Sequence, residues 1–216
     1  QQLGAIDTTL ALFVGLNNIL GIRPILNYGK QDLKDELLPQ LATGRELAAF
    51  ALTEPAVGSN PRGIQTKAVP PPSDSIYSMA TLISGTKIWS GSAAWASVIN
   101  VFTQHQLVDG TWAGISGFAV RRNSPGLRQG SEALTMGMRG MVQNTVYLDQ
   151  VPVESGDLLG QVGQGMTVAQ DAMMYGRLAI AAASIGGMKR CVQLMVRYSS
   201  RRSVSTGRVL DNPVTL

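Results

Sequence analysis

The sequence predicts an α+β multi-domain chain, with helical segments at both ends and β-structure between them. Over residues 5–20 and 31–41 the apolar residues recur at the three-to-four spacing of a packed helix. From about residue 46 to residue 153 the pattern changes to short alternating or β-branched runs, separated by glycine, proline, asparagine and aspartate. From residue 165 to about residue 202 the helical spacing returns.

The N-terminal segment is predicted to contain two helices. Gly21, Pro24, Gly29 and Gly44 interrupt the apolar pattern, so the first helix should end near residue 20 and the second near residue 41. The C-terminal helix is expected to break near the Gly186–Gly187 pair, because glycine weakens a helix interior.

The central region reads as an all-β domain. Its clearest predicted strands lie at residues 77–83, 97–103, 117–121 and 145–148. Residues 83–92 read as a hairpin, and the three prolines at positions 70–72 as a stiff surface loop.

Composition excludes several kinds of chemistry. The chain has 216 residues, of which 44% are hydrophobic and 15% charged, enough to bury a substantial core. Cys191 is the only cysteine, so no internal disulfide can form. His105 is the only histidine, which rules out a multi-histidine metal site, and no metal is expected. The glutamines on either side of His105 suggest a loop and a structural role.

Neither a membrane span nor nucleic-acid binding is expected. The longest apolar stretch is taken to be residues 178–188, far short of the roughly 20 residues that a spanning helix needs. A formal charge of +4 is too modest to indicate nucleic acid as a partner. Arg197, Arg201, Arg202 and Arg208 suggest a solvated face or an interface. The first residues lack a leader pattern and the last ones stop in mid-pattern, so we expect both ends to be cut.

The first segment with chemical potential is Phe50-Ala51-Leu52-Thr53-Glu54-Pro55-Ala56-Val57-Gly58-Ser59. Here a strand gives way to a turn in which Gly58 lets the backbone approach a ligand, while Thr53 and Ser59 offer hydroxyl groups. Such a turn suits a phosphate or the edge of a heterocycle. An ordinary strand-to-loop corner is the alternative.

The second segment is Ile83-Ser84-Gly85-Thr86-Lys87-Ile88-Trp89-Ser90-Gly91-Ser92. A large planar ring among small neighbours can pack against another planar system. The alternative is that Trp89 fills the core of the β-domain.

Taken in order, Leu-Thr-Glu-Pro at residues 52–55 and Gly-Thr-Lys-Ile-Trp at residues 85–89 resemble the paired flavin-binding signatures of the acyl-CoA dehydrogenases. Further similarities occur at residues 29–44, 124–126, 136–140, 151–153, 158–160 and 163–166. The resemblance implies the end of an N-terminal helical domain at residues 1–46, a flavin-binding, β-barrel-like middle domain at 47–155, and the start of a C-terminal four-helix bundle at 156–216.

The resemblance also implies site residues for FAD. Phe50, Ala51, Leu52 and Thr53 should follow the pyrimidine edge of the flavin, and Trp89 should lie against its ring. Gly58 belongs to the same cofactor turn, and Ser59 should contact the FAD pyrophosphate or the acyl-CoA chain. Arg177 matches an arginine near the CoA moiety, and Arg202 one that reaches the FAD of a neighbouring subunit.

Some positions depart from the family pattern. Many members carry a threonine two residues after the tryptophan, facing flavin N5, whereas this chain has Gly91. Only a backbone N–H or the neighbouring Ser90 and Ser92 are then expected to serve there. Asn60 replaces the usual acidic residue, and Thr206 stands where an aromatic residue is expected, which weakens the role of Arg202.

The catalytic base implied by the resemblance is not identified in this chain. It is expected in the C-terminal part beyond residue 216, and the alternative position used by a minority of the family is Gly176. Asp171 lies more than one helical turn from Arg177, and Glu54 reads as a structural acid of the flavin turn. The 216 residues alone are therefore expected to be inactive.

The implied reaction is 2,3-desaturation of an acyl thioester, with removal of the α-proton and transfer of the β-hydride to FAD. The implied partners are an acyl-CoA substrate, an electron-transfer flavoprotein or a similar acceptor, and further copies of the chain in a homodimer or homotetramer. The expected location is the cytoplasm, or the mitochondrial matrix in a eukaryote. The alternatives are a non-catalytic or stress-response relative that binds an acyl thioester or DNA.

Overall fold

The computed structural model describes residues 1–73, 75–77 and 80–214, and confirms the order of helical, sheet and helical parts. The N-terminal part contains α1 (Gln2–Ile6), α2 (Thr8–Leu16), a π-helical segment (Asn17–Ile22), α3 (Arg23–Tyr28) and α4 (Gln31–Ala42). Helix α2 begins after Asp7, whose carboxylate accepts a hydrogen bond from the Leu10 N–H at 3.0 Å, as an N-cap residue does.

The expected end of the first helix near residue 20 is wrong, because the chain stays helical to Tyr28. Pro24 has no N–H to donate to the carbonyl of Leu20, four residues earlier. The side-chain amide of Asn100 on the sheet donates instead, to the carbonyls of Leu20 at 3.0 Å and Gly21 at 2.7 Å. Gly21 also lets the backbone at Ala48 pack closely on the helical run, since a Cβ on Gly21 would lie 2.3 Å from the Ala48 carbonyl oxygen.

The sequence pointed to residues 178–188 as the longest apolar stretch. In the structure the longest apolar helical run is instead Thr8–Tyr28. Among the described residues, this 21-residue run is long and apolar enough to cross a membrane, judged by length and composition alone. In the structure the run packs on the sheet and on the long C-terminal helix. Core helices of folded domains pass the same test of length and composition.

The central part is one open eight-stranded sheet rather than a closed barrel. Its strands are β1 (Ala48–Ala51), β2 (Lys67–Val69), β3 (Thr81–Gly91), β4 (Val98–Gln106), β5 (Trp112–Arg121), β6 (Leu127–Glu132), β7 (Gln143–Val153) and β8 (Leu158–Leu159). The order is β6-β7-β3-β2-β4-β5-β8, and β1 pairs in parallel with β4. A strand was predicted at residues 77–83. The observed strand β3 begins at Thr81, and residues 78 and 79 lie outside the described part.

Two local predictions for this region are wrong. Residues 83–92 do not form a hairpin, because residues 83–91 belong to the single strand β3, which pairs with β7 with two irregularities in the register. His105 is not in a loop but on β4, where it is buried against Phe118 with Nδ1 2.9 Å from Ser116 Oγ. The flanking glutamines alternate with His105 across the strand, which places them on the opposite, more exposed face.

The long helix α5 (Gly165–Ser199) spans 35 residues without a break, contrary to the expected interruption at Gly186–Gly187. Helix α1 lies directly against this point: a Cβ on Gly186 would be 2.0 Å from the Gln1 carbonyl oxygen, and one on Gly4 would be 2.3 Å from the Ala183 carbonyl oxygen. The glycines therefore bring two helices together instead of ending one. After α5 come the short strands β9 (Ser203–Val204) and β10 (Gly207–Arg208).

The core has two parts. One contains apolar side chains of the sheet packed against α3, α4 and the start of α5: Ile25, Leu33, Leu37, Leu41, Phe102, Leu159 and Val168. The other is built from the sheet itself and includes Ile83, Ile99, Val101, Phe118, Val146 and Val151. The helical run is thereby fixed over β1 and the end of β3, where the candidate site lies.

Candidate functional site

A cleft of about 300 Å³ lies between the N-terminal helical run, the ends of β1 and β3, the start of β7, and α5. The lining residues are Leu16, Asn17, Leu20, Ala48, Ala49, Phe50, Leu52, Thr53, Ile88, Trp89, Gly91, Ser92, Met141, Gln143 and Met173. Both sequence segments singled out above reach this cleft.

The first segment enters the cleft along β1. Phe50 is half-buried and packs on the ring of Phe102 with centroids 4.8 Å apart. Ala51 does not line the cleft; it is buried in the other part of the core, because successive residues of a strand point to opposite faces. Beyond the strand, the Thr53 carbonyl accepts a hydrogen bond from the Ile88 N–H at 2.9 Å, which joins the two segments.

Behind this junction lies a buried ion pair. Lys87 Nζ is 2.8 Å from Glu54 Oε1 and donates a second hydrogen bond to the Leu52 carbonyl at 3.1 Å. The Glu54 carboxylate also accepts from the N–H groups of Gln65 and Thr66 and from the Thr66 hydroxyl. Burial lowers the pKa of Lys87 to about 8, although its contact with Glu54 acts in the opposite direction.

Glu54 is therefore a paired structural acid. Burial acts to raise its pKa, but the hydrogen bonds from Lys87, Thr66 and Gln65 outweigh that effect and leave the pKa below its ordinary value. The network fixes the backbone of Leu52 and Thr53 from behind the cleft wall.

Trp89 stands at the mouth of the cleft. Its φ of 55° lies in the left-handed region, and the pairing of β3 with β7 is irregular between Lys87 and Ser90. Its side chain is 57% exposed, so it does not fill the core of the β-domain. Ser90 points away and is fully buried, with its hydroxyl lacking a partner among the described residues.

The remaining predicted residues are not gathered at this cleft. Gly58 and Ser59 are exposed on the turn that follows the first segment. Arg177 is exposed on α5, and Arg202 is exposed just after the end of that helix. Within this chain, none of the four belongs to the cleft lining.

Several lining residues were missed by sequence reasoning. Asn17 holds the helical run to the sheet, since its Oδ1 accepts from the Ala48 N–H at 3.0 Å. Gln143 comes from the start of β7, Met141 from the bend just before that strand, and Met173 from α5. Of the similarities to the family noted in the sequence, the one at residues 136–140 lies just before β7, but it ends short of Met141 and Gln143.

The described cleft lining contains no carboxylate. Asp171, the acid nearest to Arg177 on its N-terminal side, forms a two-pronged ion pair with Arg23 at 2.8 and 3.0 Å. The hydrogen bond from Arg23 holds the pKa of Asp171 below its ordinary value. Gly176 is buried against Leu20, whose Cδ2 would lie 3.4 Å from a Cβ at that position.

The cleft has the features of a site for a planar heterocycle. Its walls are largely apolar, an exposed indole ring stands at its mouth, and the side chains of Thr53, Ser92 and Gln143 make no hydrogen bond to any described residue. Convergent polar groups in an apolar cleft are typical of small-molecule and cofactor sites. The fold and the cleft thus define a helix–sheet–helix protein with a site suited to a flavin.

Comparison with known families identifies the group. Residues 1–45 match the N-terminal domain of acyl-CoA dehydrogenases, residues 49–151 the middle domain and residues 163–215 the C-terminal domain. The chain belongs to the acyl-CoA dehydrogenase family, which confirms the resemblance read from the sequence.

Among similar proteins, a probable acyl-CoA dehydrogenase of Bacillus subtilis is 34% identical over 194 residues, covering 90% of this chain and 31% of that protein. The very long-chain specific acyl-CoA dehydrogenase of rat mitochondria is 32% identical over 207 residues, covering 94% of this chain and 31% of that protein. The chain therefore spans about a third of the length of these curated relatives.

Solved structures of acyl-CoA dehydrogenases have the same fold as this chain. The acyl-CoA dehydrogenase of Bacillus anthracis in complex with FAD superimposes with a TM-score of 0.87 at 29% identity, over 96% of this chain and 35% of that one. The butyryl-CoA dehydrogenase of Megasphaera elsdenii gives a TM-score of 0.89 at 25% identity, over 99% of this chain and 54% of that one.

Proposed function

We propose that the full-length protein is an FAD-dependent acyl-CoA dehydrogenase that introduces a 2,3 double bond into an acyl-CoA or a related thioester. The observation that carries the proposal is the convergence of Thr53 and Trp89, from two distant segments, on one cleft with polar groups that lack partners. The proposed domains are residues 1–46, 47–155 and 156–216.

The cleft residues fit a flavin, and each has a separate task. The backbone of Phe50 to Thr53, with the Thr53 hydroxyl, would hold the hydrogen-bonding edge of the ring. Trp89 would cover the ring and exclude water, since an indole packs well against another planar system. Gly91 leaves room beside the ring. When bound, FAD supplies the acceptor for the hydride from the substrate.

The residues outside the cleft are proposed to serve the rest of the ligands. Gly58 and Ser59, exposed on the turn after Thr53, would meet the pyrophosphate or the acyl-CoA chain. Arg177 would meet the CoA moiety, and Arg202 the FAD of a neighbouring subunit. The α-proton would be removed by a carboxylate outside the described cleft, since the lining present here has none.

Partners and location are part of the same proposal. The chain is similar to one in the structure of the electron-transferring flavoprotein of Acidaminococcus fermentans, with a TM-score of 0.88 at 26% identity. This likeness is compatible with electron transfer to another flavoprotein. We propose a homodimer or homotetramer without a membrane span or nucleic-acid partner, in the cytoplasm or the mitochondrial matrix.

The test is to purify the full-length protein, record its flavin spectrum, and add acyl-CoA without oxygen. We expect a yellow protein that bleaches, whereas a DNA-binding or non-turnover relative would not bleach. Thr53→Ala should weaken FAD retention by the value of one hydrogen bond, roughly 0.5–1.5 kcal/mol.

Trp89→Ala should weaken FAD retention further through lost ring contact. Trp112→Ala is the matched control, because Trp112 is 49% exposed but lies outside the cleft. A colourless protein that takes up no FAD would contradict the proposal, and so would unchanged FAD affinity in both cleft variants.

A further inference from the structure

The cleft contains a glycine, Gly91, beside which lies a polar side chain of the neighbouring strand. Gly91 on β3 pairs with Gln143 on β7. A Cβ on Gly91 would lie 3.5 Å from Met141 Cε, 3.7 Å from Gln143 Oε1 and 3.8 Å from Gln143 Nε2. Cross-strand partners are close neighbours on one face of a sheet, so the Gln143 side chain reaches over the missing one.

The Gln143 carboxamide is available for a ligand. It lines the cleft and makes no hydrogen bond to any described residue. The other lining amide, Asn17, is engaged with the Ala48 N–H. Asn144, the next residue on β7, has both ends of its side-chain amide engaged. Its Oδ1 accepts from the Ala94 N–H, and its Nδ2 donates to Gln129 Oε1 and to the Thr145 carbonyl.

We propose that Gln143 is a flavin-binding residue of this chain, and that its carboxamide supplies the polar contact at Gly91 which a side chain at position 91 would otherwise make. The inference rests on the proposed function. A carboxamide both donates and accepts hydrogen bonds, so it can satisfy a ring nitrogen whether or not that nitrogen carries a proton. Half-burial in an apolar cleft makes such a contact worth more than in water.

Met141 explains why the two positions are coupled. Its side chain is buried and forms the floor beneath Gly91. A Cβ at position 91 fits in ordinary contact with this floor, but a larger side chain must share its space with the Gln143 amide. A polar side chain at position 91 and the amide at position 143 are therefore alternative ways to fill one place.

The test uses the full-length protein with four variants, one of which is Gln143→Ala alone. Gln143→Met keeps the length of the side chain and removes both hydrogen-bonding atoms. Gln143→Ala combined with Gly91→Thr moves the polar group from β7 to β3. Gln40→Met is the matched control, because Gln40 is exposed on α4, away from the cleft.

The measurements are FAD affinity by fluorescence titration of the apoprotein, the visible flavin spectrum, the midpoint potential, and thermal unfolding of the apoprotein. We expect Gln143→Met to weaken FAD binding roughly two- to tenfold, as loss of one hydrogen bond does, and to shift the spectrum and potential. The apoprotein should melt as before. Gln143→Ala with Gly91→Thr should bind more tightly than Gln143→Ala alone, and the control should match wild type.

The outcomes separate this inference from the proposed function. Wild-type affinity, spectrum and potential in Gln143→Met, in a protein that binds FAD and whose Thr53→Ala variant is weakened, would overturn the role of Gln143 alone. Weakened binding without rescue by Gly91→Thr would overturn the claim that the positions are alternatives. A wild-type protein that binds no FAD would overturn both.

Discussion

Replacing Lys87 with methionine should destabilise the protein more than any other single loss of charge around the cleft. The Lys87 side chain is fully buried and its ammonium contacts Glu54 and the Leu52 carbonyl. Methionine preserves most of the volume of the lysine stem, so the change leaves little cavity. What it leaves is the Glu54 carboxylate, 5% exposed, without its counter-charge.

The expected magnitude follows from that geometry. Removing one member of a buried pair typically costs about 3–5 kcal/mol, because the other charge stays buried and unpaired. The Glu54 carboxylate keeps three hydrogen bonds, from Gln65 N–H, Thr66 N–H and the Thr66 hydroxyl, which places the loss at the lower end, about 3 kcal/mol. The double variant Lys87→Met with Glu54→Gln should lose less than Lys87→Met, since no buried charge remains.

The assay is urea unfolding of wild type, Lys87→Met and the double variant at neutral pH, with Lys67→Met as control. Lys67 is an exposed lysine of the same sheet, and its loss should stay within about 0.5 kcal/mol. A loss in Lys87→Met no larger than in the Lys67 control would refute the reasoning. So would a double variant less stable than Lys87→Met.

The pair also predicts a pH dependence. The pKa of Lys87 is about 8 in the folded protein, below the ordinary 10.5, so between these values the unfolded chain holds more protons. The Lys87 contribution to the free energy of unfolding should therefore rise with pH across this window. At the acid end, the lowered pKa of Glu54 stabilises the fold above its ordinary 4.5, and that contribution is lost as pH falls through the folded value. Both dependences should be missing in the double variant.

Two further predictions concern other titratable groups. Burial lowers the pKa of His105 below its ordinary 6.5, so stability should fall as pH drops below about 6.5, and His105→Gln should flatten this slope in urea unfolding; an unchanged slope would contradict it. Asp171→Asn should cost at most about 1 kcal/mol, because its pair with Arg23 is partly exposed. In the full-length protein it should leave acyl-CoA-dependent flavin reduction unchanged, and abolished reduction would identify Asp171 as the base.

The parts of the fold that follow from local pattern were predictable. Helical spacing and short alternating runs gave the order of the three parts, and the Leu-Thr-Glu-Pro and Gly-Thr-Lys-Ile-Trp segments located two walls of the cleft. These signals need only neighbouring residues. The errors arose where a distant residue decides the local structure.

The helical run past Pro24 is the clearest case. Gly21 and Pro24 interrupt a helix in isolation, but Asn100, about eighty residues away, supplies the hydrogen bonds that Pro24 cannot. Likewise Gly186 allows α1 to approach α5 instead of ending the helix. No window of neighbouring residues contains either partner.

The same limit applies to the site. Gln143 faces Gly91 only because β7 pairs with β3 across more than fifty residues of chain, in a register interrupted at Lys87 and Ser90. A glutamine among polar residues at the start of a strand has no distinctive pattern, so nothing local indicated it. Sequence reasoning could show that Gly91 lacks a side chain, but not which residue fills its place.

The same geometry constrains the acid–base chemistry. Of the two carboxylates in this chain that sequence reasoning weighed as bases, Glu54 is held behind the cleft wall by four hydrogen bonds and Asp171 is held by Arg23. Both have lowered pKa values, the opposite of what a base poised near neutral pH requires. Position 176 is a glycine and supplies no carboxylate, and a Cβ there would lie in ordinary contact with Leu20 Cδ2, at 3.4 Å. Under the proposed function, the proton acceptor would therefore come from a part of the protein outside the described cleft lining, which has no carboxylate.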